Sequence, residues 1–485
     1  MVHPSPTTHA LPSTAPDRGA DARVLDTLVG QEYRVGATGV GGDYTTALLE
    51  SLGGRVLRTS DTPEIHPAIE WARSGAMSLT GLASGPPLLA PGPLATCARA
   101  AVDALGLLAG KRWPSELDAS ALLGEHAAIF GLSRHGTTSA GGSCRLLRAA
   151  DRWIALNLAR PDDVALLPAW LGEGDLSDPW KFVAEHIAQQ PAAKVIERAR
   201  LLGLPASLAV EPSATASPWF HISTRGSSVL RSAKQAPLVI DLSSLWAGPL
   251  CTQLLGWTGA RVVKVESTRR PDGARFGPHA FFDLLNAGKA SVALDFGAAS
   301  DRLKLRRLVE CADIVVESAR PRALAQLGID ARTLVESVPG LTWLSITGYG
   351  RKEPRANWVA FGDDAGAAAG PAVATGTGVD SPLFCGDAIA DPLTGIHAAL
   401  CALASWQGGG GHLLDLSLCE VSAHVLGFGS RPCETRVRSI GNTWEVVAGT
   451  ERSLVAPPRA RAQRGVARKL GADTQAVLEE LVRSC

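Results

Sequence analysis

Residues Trp246–Ser267, WAGPLCTQLLGWTGARVVKVES, read as a turn, an amphipathic helix, a second turn and a strand. An apolar run, Leu238–Leu242, precedes this stretch and reads as another strand. Two parallel strands need a crossover connection between them, and that connection is usually a helix. The stretch therefore predicts a βαβ unit, the building block of a parallel sheet.

The same alternation continues downstream. Further strands are predicted at Ser291–Leu294, Ile314–Val316 and Leu341–Ile346, and helices at about 250–257, 300–311 and 322–327. Buried, β-branched strands that alternate with helices indicate a parallel sheet covered on both faces. In such sheets ligands bind beyond the carboxyl ends of the strands, which is where we expect a functional site.

A second informative stretch is Phe384–Trp406, FCGDAIADPLTGIHAALCALASW. Asp391 stands directly before a proline and an apolar helical stripe, so the pattern predicts an N-cap acid at the start of a helix. One interpretation is that Asp391 only caps this helix. The other is a carboxylate held ionised at the mouth of a pocket, for which Asp387, four residues earlier, is a rival.

The first part of the chain resembles the later part. TTALLESLGGRVLRTS (45–60) aligns without a gap with CTQLLGWTGARVVKVE (251–266), and in the continuing alignment Gly92 falls where Asp391 stands. We interpret the first copy as a truncated duplicate that cannot use a carboxylate at this position. Its glycines Gly36, Gly39 and Gly42 suggest a dinucleotide site with Asp61 as the following acid. Their spacing departs from GxGxxG, and turn geometry is the simpler explanation.

These patterns divide the chain into segments. The predicted boundaries are a disordered leader at 1–23, a truncated first copy of the large domain at 24–133, a small α+β domain at 134–212, a linker at 213–236, a second copy of the large domain at 237–426, and an irregular segment with a closing helix at 427–485.

The composition is that of an ordinary globular protein. The formal net charge is +0, 46% of residues are hydrophobic and 19% are charged, which gives no electrostatic footprint for nucleic acid or an anionic membrane. No apolar run reaches the roughly 18 residues of a membrane span. The nine cysteines are scattered singly, without metal-ligand spacing. We therefore expect a cytoplasmic protein without metal, nucleic-acid or membrane partners.

Several ordered motifs resemble the class III coenzyme A transferases, a family that includes formyl-CoA and carnitine CoA-transferases and 2-methylacyl-CoA racemases. The motifs are DLSSLWAGPLCTQLLGWTGARVVKVES (241–267), NAGKASVALDF (286–296), ADIVVESARPRALAQLGID (312–330), LTWLSITGYG (341–350), GDAIADPLTGIHAAL (386–400) and HLLDLSLCE (412–420). The resemblance implies an open Rossmann-like large domain, a small domain and normally a dimer of interlocked chains.

The resemblance also implies site residues. Asp391 matches the family's nucleophile. Candidate coenzyme A contacts at matching positions are Ala247, Gly248, Gln253, Arg269, Asn286, Lys289 and Arg320. The sequence departs from the family at Ser267, which stands where an arginine is usual, and at Phe361, which stands where the racemase branch has a histidine. His397 remains a possible substitute for that histidine.

The leading functional hypothesis is transfer of coenzyme A from an acyl-CoA donor to a carboxylic acid acceptor through an aspartyl anhydride and thioester, with coenzyme A as the substrate carrier and no other cofactor. The alternatives are 2-methylacyl-CoA epimerisation and a non-catalytic CoA-binding or scaffolding protein. The chemistry requires an ionised Asp391, and an unperturbed aspartate is charged at pH 7 unless burial raises its pKa by about three units. We expect at most a homodimer.

Overall fold

The fold is built around a seven-stranded β-sheet. It is seen in a computed structural model that describes residues 25–114, 117–213, 217–232, 235–376, 378–429 and 434–484. The predicted leader, 1–23, lies outside the described residues. Among these residues the strands are, in chain order, β1 Glu32–Ala37, β2 Arg55–Thr62, β3 Cys144–Arg148, β4 Trp153–Asn157, β5 Ala206–Leu208, β6 His221–Arg225, β7 Leu238–Leu242, β8 Arg261–Ser267, β9 Ala290–Leu294, β10 Ile314–Glu317, β11 Thr342–Thr347, β12 His412–Ser417, β13 Thr435–Ile440, β14 Thr443–Ala448 and β15 Glu451–Leu454.

Helices cover both faces of this sheet and form most of the remaining core. In chain order they are α1 Gly39–Ser51, α2 Pro67–Arg73, α3 Leu94–Ala109, α4 Glu125–Phe130, α5 Pro161–Ala165, α6 Leu167–Leu171, α7 Pro179–Ile187, α8 Ala192–Leu201, α9 Ala247–Trp257, α10 His279–Asn286, α11 Ala299–Glu310, α12 Pro321–Gln326, α13 Ala331–Ser337, α14 Gly362–Ala369, α15 Pro371–Thr375, α16 Ala390–Gln407, α17 Leu418–Gly427 and α18 Thr474–Ser484.

The large sheet has the strand order β6-β12-β11-β10-β7-β8-β9. Its strands are parallel except β6, which pairs antiparallel with β12 at one edge. Read from β9 to β12, the order is that of a doubly wound dinucleotide-binding sheet. The predicted open Rossmann-like sheet is therefore confirmed, with an antiparallel edge strand added. Each strand predicted between 238 and 346 is present, with its ends shifted by at most two residues.

The strand order reverses between β7 and β10, which lie side by side in the sheet. At this topological switch point the connections leave the sheet in opposite directions and open a crevice at the carboxyl ends. The loops after both strands touch there, because the backbone N–H of Ser244 donates to Ser318 Oγ at 3.1 Å. From the fold, we therefore expect the site at the carboxyl ends of β7 and β10.

Three smaller sheets surround this core. Strands β1 and β2 are parallel and are joined by α1, so the first segment also contains a βαβ unit. Strands β3–β5 form an antiparallel sheet whose helices pack around a separate hydrophobic cluster. Helix α3 packs on α1 and on α16, which brings the first segment against the large sheet's helices. The duplication and the domain boundaries remain predictions.

The region predicted as irregular contains regular structure. Strands β13–β15 form an antiparallel sheet between 435 and 454. A local signal was available, because Gly441 and Asn442 separate two runs of alternating residues, a pattern typical of a hairpin. The abundance of arginine and glycine in this region obscured the alternation.

No helix of the described ranges is long and apolar enough to cross a membrane. Five free cysteines are buried, Cys97, Cys144, Cys251, Cys385 and Cys401. Cys311, by contrast, is disulfide-bonded.

Candidate functional site

The N-termini of three helices meet at the side chain of Asp391. Helix α16 begins one residue before it, and its carboxylate accepts hydrogen bonds from the backbone N–H groups of Ala247 and Gly362, which begin α9 and α14. The first N–H groups of a helix have no partner within the helix and carry a partial positive charge. Asp391 therefore caps two neighbouring helices. The sequence predicted Asp391 as the N-cap of its own helix, α16. That prediction is wrong, because Ile389 is the N-cap residue.

The backbone on both sides of this carboxylate is strained. Leu245 and Ala388 are the two non-glycine residues of the described chain with positive φ, at 67° and 41°. Leu245 stands two residues before Ala247, and the carbonyl of Ala388 accepts the N–H of Asp391 at 2.9 Å. Such conformations cost roughly 1–3 kcal/mol each and cluster at functional sites.

Gly362 brings α14 into direct contact with the carboxylate. A Cβ atom at this position would overlap Oδ2 of Asp391 and stand 2.5 Å from the carbonyl oxygen of Ala388. Gly395, on the next turn of α16, has a similar role, because a Cβ there would lie 2.6 Å from the carbonyl oxygen of Ala247. The glycines thus allow the close packing that places two N–H groups on one carboxylate.

Four carboxylates lie near one another and form what we call the acidic cluster, Asp363, Asp364, Asp387 and Asp391. Burial raises the pKa of Asp363, Asp364 and Asp391 from 3.8 to about 7. The charge of Asp387 raises the pKa of Asp363 and Asp391 further, while backbone N–H groups oppose the shift. An Asp391 with a pKa near 7 is only partly ionised at neutral pH, so the cluster can both hold and release a proton.

His126 is the cation that faces this cluster. Its Nδ1 lies 2.7 Å from Oδ2 of Asp387, whose side chain is 2% exposed. Burial alone would lower the pKa of His126, but the hydrogen bond and charge of Asp387 outweigh it, and the pKa is raised. The positive charge of His126 in turn lowers the pKa of Asp391.

Sequence reasoning missed His126, which lies in α4 of the first segment. No local motif marks it. The indirect signal was the pair of acids Asp387 and Asp391 in an apolar stretch, because buried carboxylates need a donor or a cation from elsewhere in the fold.

Helix α4 is held from its other side. Glu125, next to His126, is fully buried and lies 3.1 Å from Arg461 of the C-terminal segment, whose side chain is 9% exposed. Burial raises the pKa of Glu125 to about 7, although Arg461 opposes the shift. This ion pair joins the C-terminal segment to the helix that carries His126.

The predicted coenzyme A contacts separate into two groups. Asn286 and Lys289 are buried, and the Lys289 ammonium lies within 3.0 Å of oxygens from Asp241, Pro249, Thr252 and Asn286. An ammonium group has three protons, so these oxygens already satisfy it. Gln253 is 6% exposed and lies within α9. Lys289 and Asn286 therefore link α9, β7 and the end of α10 through hydrogen bonds.

The other group lies at the carboxyl edge of the sheet. Ala247 and Gly248 begin α9 just after β7, and Arg320 is exposed directly after β10. Arg320 lies with Arg160, Arg270 and Arg322 in what we call the arginine cluster. Partial burial and the charges of these three neighbours lower its pKa. Arg269 is outside this cluster and pairs with Asp295 at 2.8 Å, whereas the charge of its neighbour Arg270 acts on Arg320.

Two positions bear on the racemase comparison. Phe361 stands next to Gly362, and the Arg160 guanidinium lies 5.9 Å from the centre of its ring. His397 is fully buried, with its ring nitrogens 2.7 Å from the carbonyl of Leu393 and 2.7 Å from the hydroxyl of Tyr44. Burial lowers the pKa of His397 to about 3, so it is a neutral packing residue in this structure.

A carboxylate also lies at the start of α1 in the first segment. The carboxylate of Glu64 accepts the N–H of Gly41 at the start of α1, and Arg99 lies 3.4 Å from the same carboxylate. A Cβ at Gly92 would stand 2.8 Å from the carbonyl oxygen of Leu426. Within the described residues, no group of three or more His, Cys, Asp or Glu side chains could hold a metal ion.

A family model, described as CoA-transferase family III, matches residues 237–483. An acyl-CoA transferase of Fusarium pseudograminearum is 30% identical over 44% of this chain and 53% of its own length. A succinate–glutarate CoA-transferase of Agrobacterium fabrum is 32% identical over 39% of this chain and 51% of its own. A formyl-CoA:oxalate CoA-transferase of Escherichia coli is 33% identical over 34% and 42%. The chain spans about half the length of these curated relatives.

Solved structures are similar over a comparable part of the chain. A CAIB/BAIF family protein from Brucella suis is 27% identical, with a TM-score of 0.39, and the match covers 45% of this chain and 66% of that one. A hypothetical protein from Mycobacterium tuberculosis is 24% identical, with a TM-score of 0.40, over 45% and 65%. Because the family model matches half of the sequence, the chain belongs to CoA-transferase family III.

Proposed function

We propose that this protein transfers coenzyme A from an acyl-CoA to a carboxylic acid, with Asp391 as the covalent nucleophile. The observation that carries the proposal is the carboxylate of Asp391, held by the N–H groups of Ala247 and Gly362 beyond the carboxyl end of β7. Relatives named as CoA-transferases support the reaction class.

The transfer conserves the free energy of the thioester bond through four exchanges. An oxygen of ionised Asp391 attacks the thioester carbonyl, the C–S bond breaks, and a mixed anhydride and CoA thiolate form. The thiolate attacks the aspartyl carbonyl, which releases the donor acid and leaves an aspartyl-CoA thioester. The acceptor carboxylate attacks that carbonyl, expels the thiolate and forms a second anhydride. The thiolate finally attacks the acceptor's acyl carbon, which gives the new acyl-CoA and free Asp391.

The geometry suits these steps. Each exchange passes through an oxyanion, and positioned backbone N–H groups in a water-poor site stabilise such charges. The N–H groups of Ala247 and Gly362 already contact the Asp391 oxygens, where an oxyanion on the aspartyl carbon would form. A pKa of about 7 leaves roughly half of Asp391 ionised at pH 7, enough for attack.

The arginine cluster supplies a binding site for the nucleotide end of coenzyme A. Its members follow β4, β8 and β10, and three of them, Arg270, Arg320 and Arg322, are exposed. Guanidinium groups match phosphate geometry and stay charged. Repulsion among these arginines is relieved when an anion binds, so the cluster favours the phosphates of coenzyme A.

The experiment compares Asp391→Asn with wild type in an exchange assay between an acyl-CoA and a labelled acid, read by mass spectrometry. Asparagine keeps the shape and an acceptor oxygen, so the variant should fold and lose exchange by orders of magnitude. Hydroxylamine added with acyl-CoA should convert Asp391 of the wild type to a hydroxamate. A hydroxamate on Asp387, or full exchange by Asp391→Asn, would contradict the assignment.

The position of His126 favours epimerisation of a 2-methylacyl-CoA as the second candidate. This histidine acts electrostatically on Asp391, so two acid–base groups are available although Phe361 stands where the racemase branch has its histidine. Epimerisation would exchange the α-proton of a 2-methylacyl-CoA with deuterated water without any acid acceptor. Transfer would instead require the acceptor. Binding of acyl-CoA without either reaction would indicate the non-catalytic alternative.

The assembly and domain organisation are also proposals. The first segment packs through α3 on α16, where it covers helices of the large sheet. We therefore propose at most a homodimer. Light scattering that gives a tetramer or a larger species would contradict this.

A further inference from the structure

We infer that the acid handled at this site is a monocarboxylic acid with an apolar or aromatic side chain, and that dicarboxylic acids are poor substrates. The inference rests on the proposed function and specifies its substrate class. It follows from the charges and the rings that surround Asp391.

The charges near Asp391 repel a second carboxylate. The charged groups with the largest effect on Asp391 are His126 and Asp387, and those on Asp363 are other members of the acidic cluster. The positive charge of His126 is already paired with Asp387 at 2.7 Å. A monocarboxylate loses its negative charge when its carboxylate forms the anhydride with Asp391. A dicarboxylate keeps a second negative charge beside the acidic cluster.

The arginine cluster does not remove this repulsion. Arg160 is paired with Asp163, and the ring of Phe361 lies beside it, adjoining Gly362. The arginines at the carboxyl ends of β8 and β10 are the groups that coenzyme A needs for its phosphates. A dicarboxylate would have to compete with the bound coenzyme A for them.

Three aromatic side chains without charge surround His126 near Asp391, and we call them the aromatic wall. The ring of His126 lies 4.2 Å from Phe130, 5.2 Å from Trp246 and 4.9 Å from Phe281, measured between ring centres. Trp246 directly precedes Ala247, whose N–H binds Asp391. Phe130 is 37% exposed, whereas Trp246 and Phe281 are buried, so solvent reaches this aromatic wall at Phe130. Apolar and aromatic groups bind such surfaces through burial and ring stacking.

The cavity beside Gly362 has a volume of about 10 Å³, room for at most one water molecule, so it does not receive the side chain of the acid. Asp363 is the charged residue of its lining, and the other lining residues include Phe384, Cys385 and Ile389. Trp246 also offers a donor, because its buried indole N–H has no hydrogen-bond partner among the described residues. An indole N–H donates to a carbonyl oxygen and to a carboxylate alike, so this donor can bind a substrate oxygen without selecting between the two classes of acid.

The test compares acceptors in the wild-type protein with one acetyl-CoA donor. We expect kcat/KM for phenylacetate or 3-methylbutanoate to exceed that for succinate or oxalate by roughly 100-fold. Phe130→Arg, which places a cation on the exposed part of the aromatic wall, should narrow this ratio by at least about tenfold. Leu303→Arg, at an exposed position on α11, is the matched control and should leave the ratio unchanged.

Each outcome has one meaning. Equal or better exchange with succinate by the wild type would overturn the inference and leave the proposed transfer reaction standing. If the ratio of kcat/KM values is unchanged in a Phe130→Arg variant that circular dichroism shows to be folded, the aromatic wall does not select the acid. That result would overturn the inference. Absence of exchange with every acid would overturn the proposed function itself.

Discussion

Nδ1 of His126 lies 2.7 Å from Oδ2 of Asp387, although the two residues are 261 positions apart in the chain. Asp387 lies within the region that matches the family model, whereas His126 lies outside it. The cation that balances the acidic cluster therefore comes from the first segment of the chain. The large sheet and its helices alone would leave these carboxylates without it.

The first prediction concerns pH. Because burial raises the pKa of Asp391 to about 7, the nucleophile gains its charge as pH rises through this value. We expect kcat/KM to rise with pH and to level off above a midpoint near 7. Asp363 and Asp364 titrate in the same range, so this midpoint belongs to the cluster as a whole.

In His126→Gln the midpoint should move to higher pH, because the lost positive charge had favoured ionised Asp391. His135→Gln, an exposed histidine elsewhere, should leave the midpoint in place. A midpoint that does not move in His126→Gln would show that this histidine does not act on the nucleophile.

A second prediction concerns the contact between α14 and the carboxylate. Gly362→Ala places a methyl group on Oδ2 of Asp391, so the carboxylate must move. Small displacements of reacting groups can cost roughly 100-fold in rate, and we expect a loss of that size in kcat/KM. Gly366→Ala is the matched control in the same helix, because its Cβ would lie 3.7 Å from the nearest atom, a side-chain carbon of Ile389. Equal activity of the two variants would contradict the site.

The arginine cluster gives a third prediction. Arg320→Ala removes a charged hydrogen-bond donor. One hydrogen bond to a charged group contributes about 1.5–3 kcal/mol, so kcat/KM for acyl-CoA should fall about 10- to 100-fold. With the matching acyl-pantetheine, which lacks the nucleotide phosphates, kcat/KM should be the same for Arg320→Ala and for the wild type. Arg307→Ala, on the exposed face of α11, serves as the control. An equal loss with both thioesters would mean that Arg320 does not bind the phosphates.

Lys289 supplies a fourth prediction, which separates a structural role from a binding role. Its ammonium pairs with buried Asp241 at 3.0 Å, and this charge holds the pKa of Asp241 well below its usual range. Lys289→Ala would leave a buried carboxylate unpaired, so urea denaturation should show a loss of about 3–5 kcal/mol.

Lys304→Ala, which breaks an exposed ion pair on α11, should cost no more than about 1 kcal/mol. If Lys289→Ala instead kept its stability and raised the KM for acyl-CoA, a direct contact with coenzyme A would be the better explanation.

Much of the large sheet could be predicted from the sequence because its signals are local. A buried parallel strand is a short run of β-branched residues, and Leu238–Leu242 was predicted with the ends it has in the structure. Helix starts are less well marked. Asp391 and Pro392 suggested a helix that begins at the proline, but α16 begins at Ala390. The sequence predicted that Asp391 caps α16, but in the structure its carboxylate caps α9 and α14.

Local sequence patterns predict the strands and helices of the large sheet, the family, and Asp391 as the residue to test, because each depends on neighbours along the chain. The distant groups that meet the Asp391 carboxylate are not visible in such patterns. Ala247, Gly362 and His126 lie on three different helices, and Arg270 acts on Arg320 while Arg269 pairs with Asp295. Lys289 matched a coenzyme A contact by position, yet the fold buries it against Asp241. Burial and charge pairing depend on distance in space, and the packing of α9, α14 and α16 sets those distances.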